Sequence, residues 1–206
     1  LTRILLIRHA EAEGNLHRLA HGHFDGKITE HGYRQIELLI QRLEKANLAA
    51  VYASNLTRAK TTAAAICDAY GLALCAMERL REVSIGEWEG LSWKEIEERW
   101  PEQLGYFLSD PAKWRIEGSE SHFDLQARIT GCIKDIAKAH DGETVAIICH
   151  GIAIRAFVSG LMGYPSDEIT KVPRCDNTAV TMMVFENEEL KLEYYGDNSH
   201  LNNEHS

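Results

Sequence analysis

Apolar and polar positions change places along the chain in blocks that read alternately as strands and helices. Residues 3–7 (RILLI) form a short apolar run expected as a buried strand, with Arg8 and His9 delivered at its C-terminal end. Thr29 is the expected N-cap of a helix carrying Ile36, Leu39, Ile40 and Leu43 at helical spacing. Residues 49–53 read as a strand ending at Ser54, and 57–70 as a helix stopped by Gly71. A third short strand covers 72–76. Ser121 and Asp124 resemble a capping box at the head of a long helix with Leu125, Ile129, Cys132, Ile133 and Ile136 on one face. Residues 143–149 (ETVAIIC) read as a strongly buried strand leading into His150 and Gly151, then a helix to about Leu161. Residues 178–185 and 190–195 are late strands, and 196–206 reads as a polar tail.

Between 82 and 119 the periodicity breaks. Gly86, Trp88, Gly90, Trp93, Trp100, Pro101, Pro111, Trp114 and Gly118 punctuate it, which predicts short helices and loops. We expect one domain over residues 1–206, with this insertion (about 84–122) forming part of a substrate pocket. The alternation predicts a three-layer α/β/α sandwich with a mostly parallel sheet and helices on both faces.

Composition narrows the class. The chain has 206 residues, 31 acidic against 22 basic side chains and a formal charge of −9, which argues against a nucleic-acid partner. No apolar stretch is long enough to span a bilayer, and no signal-like segment opens the sequence, so neither membrane association nor export is expected. The five cysteines are widely spaced without any CxxC. They are expected as reduced core thiols in a cytoplasmic protein.

Candidate chemistry sits at the predicted strand ends, where ligands of open α/β sheets collect. Arg8-His9 and His150-Gly151 follow two such ends, and Ser54 with Arg58 follows a third. Arginine presents a planar, permanently charged fork for phosphate oxygens, and a neutral imidazole is a competent nucleophile near pH 7. A carboxylic acid must protonate the leaving oxygen; on residue type alone Glu78, Glu82, Glu87 and Glu89 all qualify. Together these are the parts of a two-step phosphoryl transfer. His17, His21 and His23 lie in a glycine-bearing stretch without Cys ligands or an HExxH pattern, so no metal is expected there. The four tryptophans fit core packing and pocket lining equally well.

Several blocks, in order, resemble the histidine phosphatase superfamily, also called phosphoglycerate mutase-like. They are Leu6-Ile7-Arg8-His9-Ala10-Glu11 with Asn15, Gly22-x-x-Asp25-x-x-Ile28-Thr29-x-x-Gly32, Tyr52-Ala53-Ser54-x-Leu56-x-Arg58-Ala59, Leu80-Arg81-Glu82, Gly86-x-Trp88-Glu89-Gly90, and Cys149-His150-Gly151-x-x-x-Arg155. Asp176-Asn177-Thr178 and Ser199-His200-Leu201 follow near the end.

The resemblance implies His9 as the phosphorylated nucleophile, with Arg8, Arg58 and His150 as the phosphate pocket and Glu82 as proton donor and acceptor. It also implies substrate-binding roles for Asn15, His21, Gly22 and Gly151. The family usually has Gly where Ala10 stands. It implies a phosphomonoester hydrolase of the phosphatase branch, acting on a small phosphorylated metabolite without metal or other cofactor. A phosphoglycerate mutase using the same site, a non-catalytic phospho-ligand binder and a zinc module are the alternatives. An edge strand pairing across a two-fold axis would give a homodimer; nothing in the sequence decides it.

Overall fold

The structure, a computed structural model, describes residues 1–205, with side chains through Asn202. Six strands form one sheet: β1 (Thr2–Arg8), β2 (Leu48–Ser54), β3 (Leu74–Met77), β4 (Thr144–Cys149), β5 (Val180–Glu186) and β6 (Glu189–Asp197), in the spatial order β3-β2-β4-β1-β5-β6. The first four are parallel, whereas β5 and β6 pair antiparallel at one edge. Helices α1 (Glu13–Leu16), α2 (Glu30–Leu43), α3 (Thr57–Tyr70), α4 (Trp93–Arg99), α5 (Pro101–Ser109), α6 (His122–Ala139) and α7 (Gly151–Leu161) connect them. This is the expected three-layer α/β/α arrangement.

The central strands are apolar throughout because both faces are covered, and the side-chain period of two divides them between two cores. Ile4 and Leu6 of β1 face the layer of α6 and α7, together with Ile129, Ile133, Ile154 and Phe157. Leu5 and Ile7 face the other layer, with Leu39 and Leu43 of α2 and Ala59, Ala63 and Ile66 of α3.

Local signals set several boundaries. The Thr29 hydroxyl accepts the Gly32 N–H at 3.0 Å to open α2, and the Ser121 hydroxyl accepts the Asp124 N–H at 3.1 Å to open α6. Gly71 closes α3 in the left-handed conformation, with φ +66°.

The parallel register aligns strand ends. Arg8 stands opposite Cys149, and the His9 N–H donates to the Cys149 carbonyl at 2.9 Å, so His9 and His150 emerge side by side. Because β5 runs the other way, its entry at Asn177 and Thr178 reaches the same edge, where the Thr178 N–H donates to the Arg8 carbonyl at 3.0 Å.

Two expectations are corrected. Cys67, Cys132, Cys149 and Cys175 are buried, but Cys75 is exposed, because β3 is a short edge strand with an uncovered side. The stretch after Tyr195 is no featureless tail. β6 continues through Asp197, and a 3₁₀ helix (Ser199–His205) follows, with His200 buried against Thr178. Ser206 lies outside the described residues. No helix among the described residues is long and apolar enough to cross a membrane.

Candidate active site

The strand ends open into a cleft of about 1090 Å³. Arg8, His9, Asn15, His21, Gly22, Arg58, Glu82 and Gly151 all line it. His150 stands behind them, its ring centroid 5.2 Å from that of His9. Every candidate site residue named from the sequence is therefore gathered at one place.

His9 is nearly inaccessible, and its hydrogen bonds define its tautomer. Nδ1 lies 2.7 Å from the Ala10 carbonyl oxygen, which can only accept, so Nδ1 carries the proton in the neutral ring. Nε2 is then a bare lone pair, and the Arg58 Nε–H donates to it at 3.3 Å. Burial, reinforced by the charges of Arg58 and Arg8, holds the His9 pKa well below its ordinary value. The imidazole is neutral at pH 7.

Ala10, where the resembled family usually has Gly, fits without backbone strain. Its φ is not positive, its N–H donates to the Thr62 hydroxyl at 3.1 Å, and its methyl packs with Ala12, Ile28 and Ile36.

Arg58 is fully buried in the first turn of α3. Its Nη1 donates to the Phe24 carbonyl at 2.9 Å and its Nη2 to the Gly22 carbonyl at 2.8 Å. Burial lowers its pKa to about 10, so it keeps its charge at neutral pH. Gly22 is required here: it has φ +47°, and a Cβ would lie 2.6 Å from Ile85 Cγ1. Arg8 donates from Nη1 to the Cys175 carbonyl at 2.6 Å, while its buried Nε has no partner among the described residues.

The same is true of both ring nitrogens of His150 and of Nε2 of His21. Burial, followed by the charge of Arg58, keeps both rings neutral: His150 titrates well below its ordinary value and His21 at about 3. Buried polar groups are ordinarily paired, so a cluster of unpaired nitrogens around one lone pair makes this cleft the candidate ligand site.

Glu82 is buried and anchored to the head of α7. Its Oε1 accepts the Val83 and Ala153 N–H groups at 3.0 and 2.9 Å, and its Oε2 accepts, among the described residues, that of Ile152 alone, at 3.0 Å. Of the other acids, Glu89 is committed to the loop, accepting from the His23 and Ile85 N–H groups at 3.0 and 3.2 Å. Glu87 is exposed. Geometry thus separates carboxylates that residue type could not.

The Asn15 Oδ1 accepts the Ala12 N–H at 3.0 Å, so any ligand contact falls to its amide N–H₂. His17, His21 and His23 do not converge. His23 Nε2 binds the Glu82 carbonyl at 2.8 Å, and His21 stands edge-on to His9.

Two functional positions were missed. Gly14 makes room for His21: a Cβ there would lie 1.9 Å from His21 Nε2. Its only sequence signal is a glycine inside the first block. Asn177 donates from Nδ2 to the His9 carbonyl at 2.8 Å and precedes Thr178, a β-branched residue at φ +58°. The Asp176-Asn177-Thr178 block pointed there without revealing the contact.

The insertion supplies one wall, with Trp93, Leu104, Phe107, Leu108 and His122 facing the cleft. Trp88 and Trp114 are core residues, packed edge-to-face or tilted around Phe107.

The family model described as histidine phosphatase superfamily (branch 1) matches residues 4–198. Phosphoserine phosphatase 1 of Hydrogenobacter thermophilus is 30% identical over 186 residues, covering 90% of this chain and 88% of that protein. The metal-independent phosphoserine phosphatase of Arabidopsis thaliana is 30% identical over 204 residues, covering 98% of this chain and 84% of its own. Among solved structures, Bacillus stearothermophilus YhfR superposes with a TM-score of 0.94 at 31% identity, covering 98% of this chain and all of that one.

Proposed function

This chain belongs to the histidine phosphatase superfamily, and from that membership and the cleft geometry we propose that it hydrolyses small phosphomonoesters through a phosphohistidine on His9. The observation that carries the reading is the His9 tautomer: Nδ1–H donates to the Ala10 carbonyl, and Nε2 presents its lone pair beside the Arg58 guanidinium.

Nε2 attacks phosphorus in line, forming the P–N bond as the P–O ester bond breaks. Arg8, Arg58 and His150 stabilise the equatorial oxygens, and in a buried site such preorganised donors are the largest contribution. Asn15, His21 and the Gly22 and Gly151 backbone complete the cradle. Gly151 is placed for this: a Cβ there would press on Arg8 Nε at 3.3 Å.

Glu82 gives its proton to the departing alkoxide. Oε2, which accepts one backbone N–H against two on Oε1, is the oxygen assigned to carry it. The resulting carboxylate then takes a proton from the water that cleaves the P–N bond, releasing inorganic phosphate and restoring His9. No step requires a metal, since the arginines and imidazoles supply the donors and positive charge.

Relatives of similar identity are named phosphoserine phosphatase and phosphoglycerate mutase or mutase-like, so the preference for hydrolysis over mutase chemistry rests on the compact segment from Leu80 to Gly90. The test is a panel of phosphomonoesters run with and without 2,3-bisphosphoglycerate. Phosphate release without the bisphosphate is expected. Isomerisation of a phosphoglycerate that depends on the bisphosphate, with no phosphate released, would replace this reading with a mutase.

A further inference from the structure

Glu82 must hold its proton at a leaving oxygen, yet residues 81–84 around it belong to no helix or strand. A short 3₁₀ turn (Glu78–Leu80) precedes them and another (Gly86–Trp88) follows. The carboxyl end of Glu82 is tied to the head of α7 by the Ile152 and Ala153 N–H groups. A side chain tied only at its tip would still move with its backbone. A displacement of about 1 Å at a reacting group can cost about 100-fold in rate.

Arg128, on α6, holds the backbone end. Its Nη1 donates to the Arg79 and Arg81 carbonyls at 3.0 and 3.1 Å, and its Nη2 to the Glu82 carbonyl at 3.3 Å. The remaining two N–H groups, on Nε and Nη2, meet Glu120 Oε1 and Oε2 at 2.8 and 2.6 Å. All five guanidinium donors are thereby engaged. Glu120 is anchored in turn, because its N–H donates to the Ser84 carbonyl at 2.8 Å. The pair is half-buried, so solvent screens it only in part.

His23 adds a donor from the opposite side. Its Nε2 lies 2.8 Å from the same Glu82 carbonyl, and it belongs to the loop that carries Gly22. The carbonyl of the acid is therefore held between α6 and the loop beside the phosphate pocket.

An ion pair of this kind could serve cohesion of the fold alone. Two features separate Arg128 from that role. Three of its five donors end on carbonyls of residues 79–82, the segment that delivers the acid. Neither Arg128 nor Glu120 lines the cleft, so any effect on chemistry must pass through Glu82. Lysine could not replace it, since a single ammonium cannot span the carboxylate and three carbonyls that the planar fork reaches.

We propose that Arg128 is the positioning residue of the catalytic acid: braced by Glu120, it fixes the backbone of residues 79–82 so that Glu82 Oε2 meets the leaving oxygen. The proposal rests on the hydrolase reading, in which Glu82 is the proton donor.

Single-turnover phosphorylation of His9 tests it, comparing the alkyl phosphate that the parent chain hydrolyses fastest with nitrophenyl phosphate. Arg128→Gln and Arg128→Lys should each slow the alkyl substrate about 10- to 100-fold. They should leave nitrophenyl phosphate, which departs without a proton, within about 3-fold. Inhibition by inorganic phosphate should also stay within about 3-fold, because the phosphate pocket is untouched. In a Glu82→Gln chain, adding Arg128→Lys should change the alkyl rate by no more than about 3-fold, since there is no acid left to misplace. Arg128→Lys keeps the charge beside Glu120 and carries the test if Arg128→Gln fails to fold. Equal losses for the two leaving groups, a full further loss on top of Glu82→Gln, or parental rates in a folded variant would overturn the proposal. Failure of the hydrolase reading is seen in the parent chain instead, as no phosphohistidine formed from either substrate, and it would remove the proposal as well.

Discussion

Lowering the pH from 7.0 to 5.0 should cost this fold several kcal/mol, because it holds histidines neutral that are free to protonate in the unfolded chain. Burial depresses the pKa of His21 to about 3 and of His122 and His200 to about 4, while His9 and His150 are pushed down in the same direction. An unfolded histidine titrates near 6.5. Below that value the unfolded state binds more protons than the folded one, so stability falls with pH and levels off only below the folded pKa values. Between pH 7.0 and 5.0 each fully shifted histidine contributes a loss of about 2 kcal/mol. His21, His122 and His200 together give about 5 kcal/mol, and His9 and His150 add to it. That is a large share of the roughly 5–15 kcal/mol typical of a domain. Urea unfolding at the two pH values measures it, and His122→Gln isolates one site by removing about 2 kcal/mol of the difference. A stability unchanged within about 1 kcal/mol between pH 7.0 and 5.0, or a difference untouched by His122→Gln, would refute the reasoning.

Three further outcomes follow from the site. Glu82→Gln should slow single-turnover phosphorylation by alkyl phosphates about 10²–10⁴-fold and by nitrophenyl phosphate far less, because a phenolate leaves without a proton; equal losses would make Glu82 a structural anchor of α7. Gly14→Ala must displace the His21 ring, since the new methyl would overlap Nε2 at 1.9 Å, and kcat/KM should fall about 10- to 100-fold. In Gly14→Ala/His21→Ala the loss should not exceed that of His21→Ala alone, and additive losses would place the effect elsewhere. Dialysis against EDTA should leave phosphate release unchanged; loss on chelation with recovery on one divalent ion would assign the charge stabilisation to a metal.

What was legible in the sequence was what local chemistry decides. The α3 boundaries at Thr57 and Tyr70 follow from a strand end and a left-handed glycine, and Thr29 and Ser121 announce their helices by their own hydroxyls. The apolar runs of β1 and β4 needed only burial on both faces. Arg8, His9, Arg58, His150 and Gly151 follow strand ends, so a parallel sheet sufficed to gather them, whereas Asn15, His21, Gly22 and Glu82 reach the cleft from connecting segments. Long-range packing was not legible. Gly14 matters because of a ring seven residues away, and Asn177 because the antiparallel strand β5, paired beside β1, starts next to His9. Cys75 looked like its buried counterparts, since nothing local shows that β3 is an edge. Glu82 could not be told from Glu87 and Glu89 by residue type; the N–H groups of Ile152 and Ala153, some 70 residues on, distinguish it. The cleft wall was the least legible part, because Trp88 and Trp93 differ in role only through the aromatic cluster that encloses one of them.

The measurement that bears most directly on the central claim is rapid-quench trapping with phosphorus-labelled substrate, followed by mapping of the labelled residue. The tautomer fixed by the Ala10 carbonyl predicts one acid-labile, base-stable phosphoryl group on Nε2 of His9. The label should form and decay at rates consistent with turnover and be absent from His9→Ala, which should also lose activity. Label on any other residue, or near-normal turnover by His9→Ala, would contradict the account.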